Sequence, residues 1–410
     1  MAIEYRSTTL ANGLEVRAEC DPNAQSAAVG IFVRTGTRDE PERLMGVSHF
    51  LEHMMFKGSA TRSAHEVNEG FDRIGARNNA FTSHEMTAYH AHVLPRHLPE
   101  ATSMIFDLLR PALRVSDFES ERGVILEEIA MYEDNPSWVA YERANDAYYA
   151  GHPLGMRVLG TNATIKALGA EEMRAYFTDH YSPESSALVG AGSIDFDALV
   201  AQAEQESASW ARASTRPTRA HPRHTPRRES LAVPQAKATR AYMILMWPSV
   251  AAAHPQRHAA AVCAQILGDT DGSRLHWALV EPGIAVDASA GYQGRDGTGE
   301  IVGSIVCATE DMVRAEEVLR KECAALRDSL TDDDLIRAAN KIATGVAMAG
   351  ESPATRMQRI GGLWALTLKY TSLEEELAKI QSLRLGDLKE HLTAFPFDPI
   401  TRACVVPESN

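Results

Sequence analysis

The feature that most restricts how this chain can fold is an internal repeat. In the first passage "SAAVGIFVRTG" reads as an apolar strand, "TRDEPERL" as a polar loop and "GVSHFLEHMMF" as a helix. In the second, "ATRAYMILMWPS" is again strand-like, "VAAAHPQR" is the loop and "HAAAVCAQILG" is an apolar helix. The shared order predicts two structurally repeated domains. A length of 410 residues exceeds what one compact core holds and suits two. Between the passages lies "RASTRPTRAHPRHTPRRES", whose prolines interrupt hydrogen-bond ladders. We therefore read 1–207 as an N-terminal domain, 208–230 as a Pro/Arg-rich linker and 231–410 as a C-terminal domain. The six arginines of the linker, Arg212 to Arg228, are read as solvated rather than as nucleic-acid contacts.

Each half mixes strands such as "MTAYHAHVL" and "SSALVGAG" with longer helices such as "PEATSMIFDLLRPAL", "FESERGVILEEIAMYED" and "AEEMRAYFTDHY". The two types do not alternate strictly. The expected class is therefore α+β, with helices packed on an antiparallel sheet, rather than a doubly wound parallel sheet. A formal net charge of −14 argues against non-specific nucleic-acid binding. No segment reaches about 18 uninterrupted apolar residues, so no membrane span is expected. The start "MAIEYRSTTLANGLEV" lacks a basic region followed by an apolar core. Five scattered cysteines, Cys20, Cys263, Cys307, Cys323 and Cys404, suggest neither a disulfide framework nor a cysteine metal site. These observations predict a cytoplasmic protein.

The chemistry concentrates in "GVSHFLEHMMFKG", residues 46–58. On a helix, His49, Glu52 and His53 project together, while Phe50 with Met54 and Leu51 with Met55 form flanks that pack inward. Two imidazoles at i and i+4 can bind one zinc ion, and a catalytic site needs a third protein ligand and an open position for water. Glu52, beside the metal but not bound to it, is placed to act as general base. The order H-x-x-E-H inverts the commoner H-E-x-x-H. A third ligand is expected from the helix of "FESERGVILEEIAMYEDNP". There Glu121 and Glu128 line one face, Glu127 points about 100° away from Glu128, and Val124, Ile125, Ile129 and Tyr132 can pack.

On these residues the chain resembles the pitrilysin (M16) family of zinc metallopeptidases. It is most similar to the shorter members, which include the β-subunit of mitochondrial processing peptidase and bacterial relatives. H-x-x-E-H stands at His49 to His53, and "ERGVILEE" matches the family's paired glutamates at Glu121 and Glu128. The resemblance implies that His49, His53 and Glu128 ligate Zn2+, that Glu52 is catalytic, and that Glu121 supports the site. "NAFTSHEMTAY" matches the family's N-A-x-T-x-x-E-x-T-x-Y strand, where Asn79, Ala80, Phe81 and Thr82 would hold peptide substrate by β-augmentation. "GHPLG", "YSPESSALVGAGSID" and "LGDTDGSRL" are also similar to family segments. The implied activity is that of a metalloendopeptidase or oligopeptidase acting on short or unfolded peptides.

One segment departs from the family pattern. Many members carry an Arg and a Tyr in the second half that bind substrate and steady the intermediate. In "ALVEPGIAVDAS", Val280 and Val286 stand in their places. One explanation is a heterodimer in which a homologous, metal-free partner supplies the pair. The other is a homodimer in which Tyr292, Arg274 or Arg295 substitutes. We prefer the heterodimer; either way the family arrangement would enclose a chamber. A rival reading is a non-catalytic scaffold, like core subunits of the respiratory cytochrome bc1 complex, but those show eroded zinc motifs. Three further features read as bland. His90 and His92 are taken as solvated strand histidines. His254, His258 and His276 form no constellation. Met54 and Met55 are taken as core.

Overall fold

Two strands are buried at every position, Ala27–Val33 and Ser186–Gly192. Such strands need cover on both faces. The computed structural model describes residues 3–211, 219, 221–222, 224–398 and 400–408, and it supplies that cover. In the first compact unit, β1 (Glu4–Thr9), β2 (Glu15–Cys20), β3 (Ala27–Val33), β4 (Arg77–Thr82), β5 (Thr87–Val93) and β6 (Ser186–Gly192) form one sheet in the order β1-β2-β6-β3-β5-β4. All neighbours are antiparallel except β2 and β6. The second unit holds β7 (Glu229–Gln235), β8 (Ala241–Ser249), β9 (Asp287–Gly294), β10 (Gly299–Cys307) and β11 (Thr401–Pro407), in the order β7-β11-β8-β10-β9. Here β7 and β11 are the parallel pair. With β1 set aside, the two sheets share one topology, so the halves are structural repeats on an α+β architecture.

The cover helices are exchanged along the chain. On the first sheet, Met357, Ile360 and Trp364 of helix Pro353–Thr367 pack on Ala28, Phe32, Ala88 and Val189. Gly361 is required there, because a Cβ would meet the Phe32 ring at 2.3 Å. Arg356, Arg359 and Tyr370 converge on Glu19, itself 1% exposed, and fasten the segment. On the second sheet, Ala140, Ala144 and Tyr148 of helix Pro136–Tyr148 pack on Ile244, Met246, Ala403 and Val405. The first unit accordingly gathers Met1–Ile129, Met156–Ala220 and Met348–Tyr370, and the second Ala130–Gly155, His221–Ala347 and Thr371–Asn410. Set beside the sequence ranges 1–207 and 231–410, these two helices change sides.

Of the linker expected over 208–230, residues 212–218, 220 and 223 lie outside the described residues. Trp210 donates its indole N–H to the Tyr181 carbonyl, and Glu229 and Ser230 already belong to β7. Arg219 corrects the expectation of a solvated arginine. Its side chain is buried, with its guanidinium on Asp39 and on the Glu85 carbonyl. Among the described residues no helix is long and apolar enough to cross a membrane.

Candidate metal centre

The helix that carries the histidines, Val47–Met55, begins at Gly46. Gly46 has φ 95°, and a Cβ there would lie 2.7 Å from the Leu159 carbonyl oxygen, so glycine is needed on both counts. Gly46 has no side chain to cap the helix. The buried carboxyl of Glu40 does so instead, accepting from the Gly46 and Ser48 backbone N–H groups at 2.7 Å each. Burial pushes the Glu40 carboxyl up to about 8, against the opposing pull of those two N–H groups. Phe50, Leu51, Met54 and Met55 are buried, as their spacing predicts, and so is Val47. Phe50 stacks on Phe118 with centroids 4.7 Å apart, joining this helix to helix Val115–Glu133. On that second helix Phe118, Glu121, Ile125 and Ile129 are buried. Val124 is exposed, which corrects its expected packing role: it points off the stripe that Ile125 and Ile129 bury.

The two helices bring three donor atoms together. His49 Nε2 lies 3.8 Å and His53 Nε2 lies 3.5 Å from Glu128 Oε2, and one ligand atom from each residue falls within 4.8 Å of the others. Among the described residues this is the one group of three or more His, Cys, Asp or Glu side chains able to share an ion. Tetrahedral ligands about 2.0–2.2 Å from zinc sit roughly 3.4 Å apart. The two separations from Glu128 suit the ion, while the widest spacing, up to 4.8 Å, would have to close by a small side-chain movement on binding. The protonation also fits. Burial, with His53 adding repulsion, drives the His49 imidazole down to about 3, so it remains neutral and keeps its lone pair.

Around the donors, His53, Glu121 and Glu52 each have a fixed partner, whereas His49 Nδ1 is buried without a hydrogen-bond partner among the described residues. His53 Nδ1–H donates to Glu121 Oε1 at 2.9 Å, which turns Nε2 toward Glu128. Glu121 is gripped from its other oxygen by Lys57. Burial alone would raise the Glu121 carboxyl, but Lys57 and His53 outweigh it and hold it below its ordinary value. Glu121 thus touches a histidine rather than the reacting centre. Glu52 stays outside the donor set, and the Thr82 hydroxyl donates to its Oε2 at 2.6 Å. Burial raises the Glu52 carboxyl, opposed by the Thr82 bond and by His53. Burial likewise raises Glu128.

Of the four residues expected to meet substrate, all lie in β4, which pairs with β5 alone and is the terminal strand of its sheet among the described residues. Asn79 is exposed, Ala80 is buried, and Phe81 and Thr82 are half-buried. The other sequence candidates stay apart from the metal cluster. His90 and His92 are half-buried rather than solvated, His92 Nε2 sitting 2.8 Å from Ser26 Oγ and His90 Nε2 facing Gln358. His258 bonds Glu376 at 2.6 Å. Val280 ends a π-helical turn, His276–Val280, and Val286 is exposed. Their proposed substitutes are engaged elsewhere: Tyr292 on the Val250 carbonyl, Arg274 on Asp334 and Arg295 on Glu300. Sequence reasoning missed Glu40, Lys57 and the Thr82 hydroxyl as parts of the site. Only Lys57, one turn after His53, left a signal in the spacing.

Comparison with known proteins places the chain in a family. Residues 15–162 match the family described as Insulinase (Peptidase family M16), and residues 167–342 match the Peptidase M16 inactive domain. The metal cluster falls in the first of these ranges. An uncharacterized zinc protease of Streptomyces coelicolor is 32% identical over 392 residues, covering 94% of this chain and 85% of that protein. The uncharacterized zinc protease YmxG of Bacillus subtilis is 29% identical over 381 residues, covering 92% of each. The crystal structure of a protease from Helicobacter pylori shares the fold with a TM-score of 0.91 at 18% identity, covering 99% of this chain and 100% of that one. The chain belongs to peptidase family M16.

Proposed function

We propose that this chain is a zinc-dependent endopeptidase or oligopeptidase that cleaves short or unfolded peptides. The observation that carries the reading is the convergence of His49, His53 and Glu128 on one point, with Glu52 outside the donor set and held by Thr82. When bound, zinc would polarise the scissile carbonyl and acidify a water molecule. Glu52 takes the proton from the attacking water and returns it to the leaving amine. Its burial favours this work, because a carboxylate in a drier setting is the stronger base. Glu121 keeps the His53 ring in the ligating tautomer. The outer edge of β4 binds the peptide backbone as an added strand, which tolerates varied side chains.

The chain acts as the zinc-bearing subunit of a dimer. Val280 and Val286 provide neither a cation nor a phenol, and Tyr292, Arg274 and Arg295 already have partners. A homologous subunit carrying the Arg/Tyr pair fits this deficit better than a second copy. Five unpaired cysteines suit a cytoplasmic setting. The test is hydrolysis of a quenched fluorogenic peptide by the zinc-loaded chain, alone and with a co-purified homologous subunit, against Glu52→Gln. Cleavage that depends on Glu52 supports the peptidase. Cleavage by the chain alone removes the need for a partner. Bound zinc with no Glu52-dependent cleavage in either form favours a scaffold.

A further inference from the structure

The proposed peptidase needs its base held at a set distance from the substrate strand. We propose that Thr82 is the positioning residue that fixes the Glu52 carboxylate against the strand edge; this rests on the peptidase reading. Side chains alternate along β4. Phe81 turns to the face of Phe32 and His90, with ring centroids 6.5 and 6.4 Å away. Thr82 turns to the opposite face, where helix Val47–Met55 lies, and its hydroxyl meets Glu52 Oε2 at 2.6 Å. The backbone of Thr82 therefore belongs to the proposed substrate strand while its side chain holds the base. A bond to one carboxylate oxygen fixes the rotamer and leaves the other oxygen for a proton.

The seating of Thr82 is unusually firm. Its strand runs into a turn in which Ser83 Oγ accepts from the Glu85 and Met86 N–H groups. Loop 36–40 grips that turn. Thr37 N–H donates to the Ser83 carbonyl and Arg38 N–H to the His84 carbonyl, at 3.2 and 2.9 Å. The backbone of Ser83 comes so close that a Cβ on Gly36 would lie 2.4 Å from its oxygen. The buried Arg38–Glu85 pair and Arg219 on Asp39 complete the grip. The same loop supplies Glu40, which caps the helix bearing Glu52. One loop thus mounts both the strand end and the helix start, and the Thr82–Glu52 bond closes the ring between them.

The test uses the zinc-loaded full-length chain, with its partner subunit where turnover requires one. Thr82→Val should lower kcat about 10- to 100-fold, the loss expected for one hydrogen bond to a charged group. KM should change by less than about twofold and zinc content should not change, since uniform binding is untouched. Thr82→Ser, which keeps the hydroxyl, should restore kcat. A second readout needs neither zinc nor turnover. In the metal-free chain Thr82→Val should lower Tm by about 2–4 °C, and by less than about 1 °C when Glu52 is already Ala. Raised KM with unchanged kcat would overturn the proposal, as would equal Tm shifts in both backgrounds. Absence of Glu52-dependent cleavage in the unmodified protein would overturn the peptidase reading, and the assignment of Thr82 to a base with it.

Discussion

Glu121 illustrates how the centre is built in layers. It never reaches the metal position, yet it fixes the ring of His53, and Lys57 fixes it in turn. Glu121→Ala would leave Lys57 unpaired and His53 free to rotate. The expected result is zinc affinity about 10- to 100-fold weaker, measured by competition with a chromogenic chelator. Activity lost at limiting zinc should recover substantially at saturating zinc. Much of this layer was legible beforehand. The spacing of His49, Glu52 and His53 places three groups on one helix face, and the pair Glu121 and Glu128 shares a face on another. What escaped were contacts between distant residues without periodic spacing: Thr82 to Glu52 and Glu40 to Ser48. Val124 was misplaced because its neighbour Ile125 fills the buried stripe.

Among the elements, helix Arg257–Gly268 is the counterpart of the metal helix, and it has turned its polar groups to structural use. Arg257 and His258 both bind Glu376, which is 9% exposed. Burial alone would raise the Glu376 carboxyl, but His258 and Arg257 outweigh it and pull it down to about 2. The folded value lies below the ordinary 4.5 of the unfolded chain. The stability it contributes is therefore complete above about pH 4.5 and is lost as pH falls toward about 2. Glu376→Gln should lower Tm near neutral pH and flatten the decline of Tm across that acid window. An unchanged acid decline in the variant would show that other carboxylates set it. Strand and helix identities were largely readable, because β3 and β6 are continuous apolar runs and the helices keep their apolar stripes. The ion pair was not, since Glu376 lies far from helix Arg257–Gly268 in the sequence.

The molecule as a whole is a repeat in which, among the described residues, one copy holds the His49, His53 and Glu128 cluster. The repeat was visible in two strand, loop and helix passages, and the matching sheet orders follow from it. The exchange of helices Pro136–Tyr148 and Pro353–Thr367 was not visible, because an amphipathic helix does not name the sheet it covers. A chain ending at residue 211 lacks helix Pro353–Thr367 and would expose Phe32, Ala88 and Val189. It should bind a hydrophobic dye and aggregate, and a synthetic peptide of residues 348–370 should reduce both effects. Stable, dye-negative behaviour without the peptide would contradict the packing described. The centre itself is tested most directly by native mass spectrometry of zinc on the intact chain and its variants. One zinc per chain is expected in the unmodified protein and in Glu52→Gln, with loss of the ion in His49→Ala and Glu128→Ala. Zinc that survives His49→Ala, or that departs with Glu52→Gln, would contradict the assignment of ligands and base.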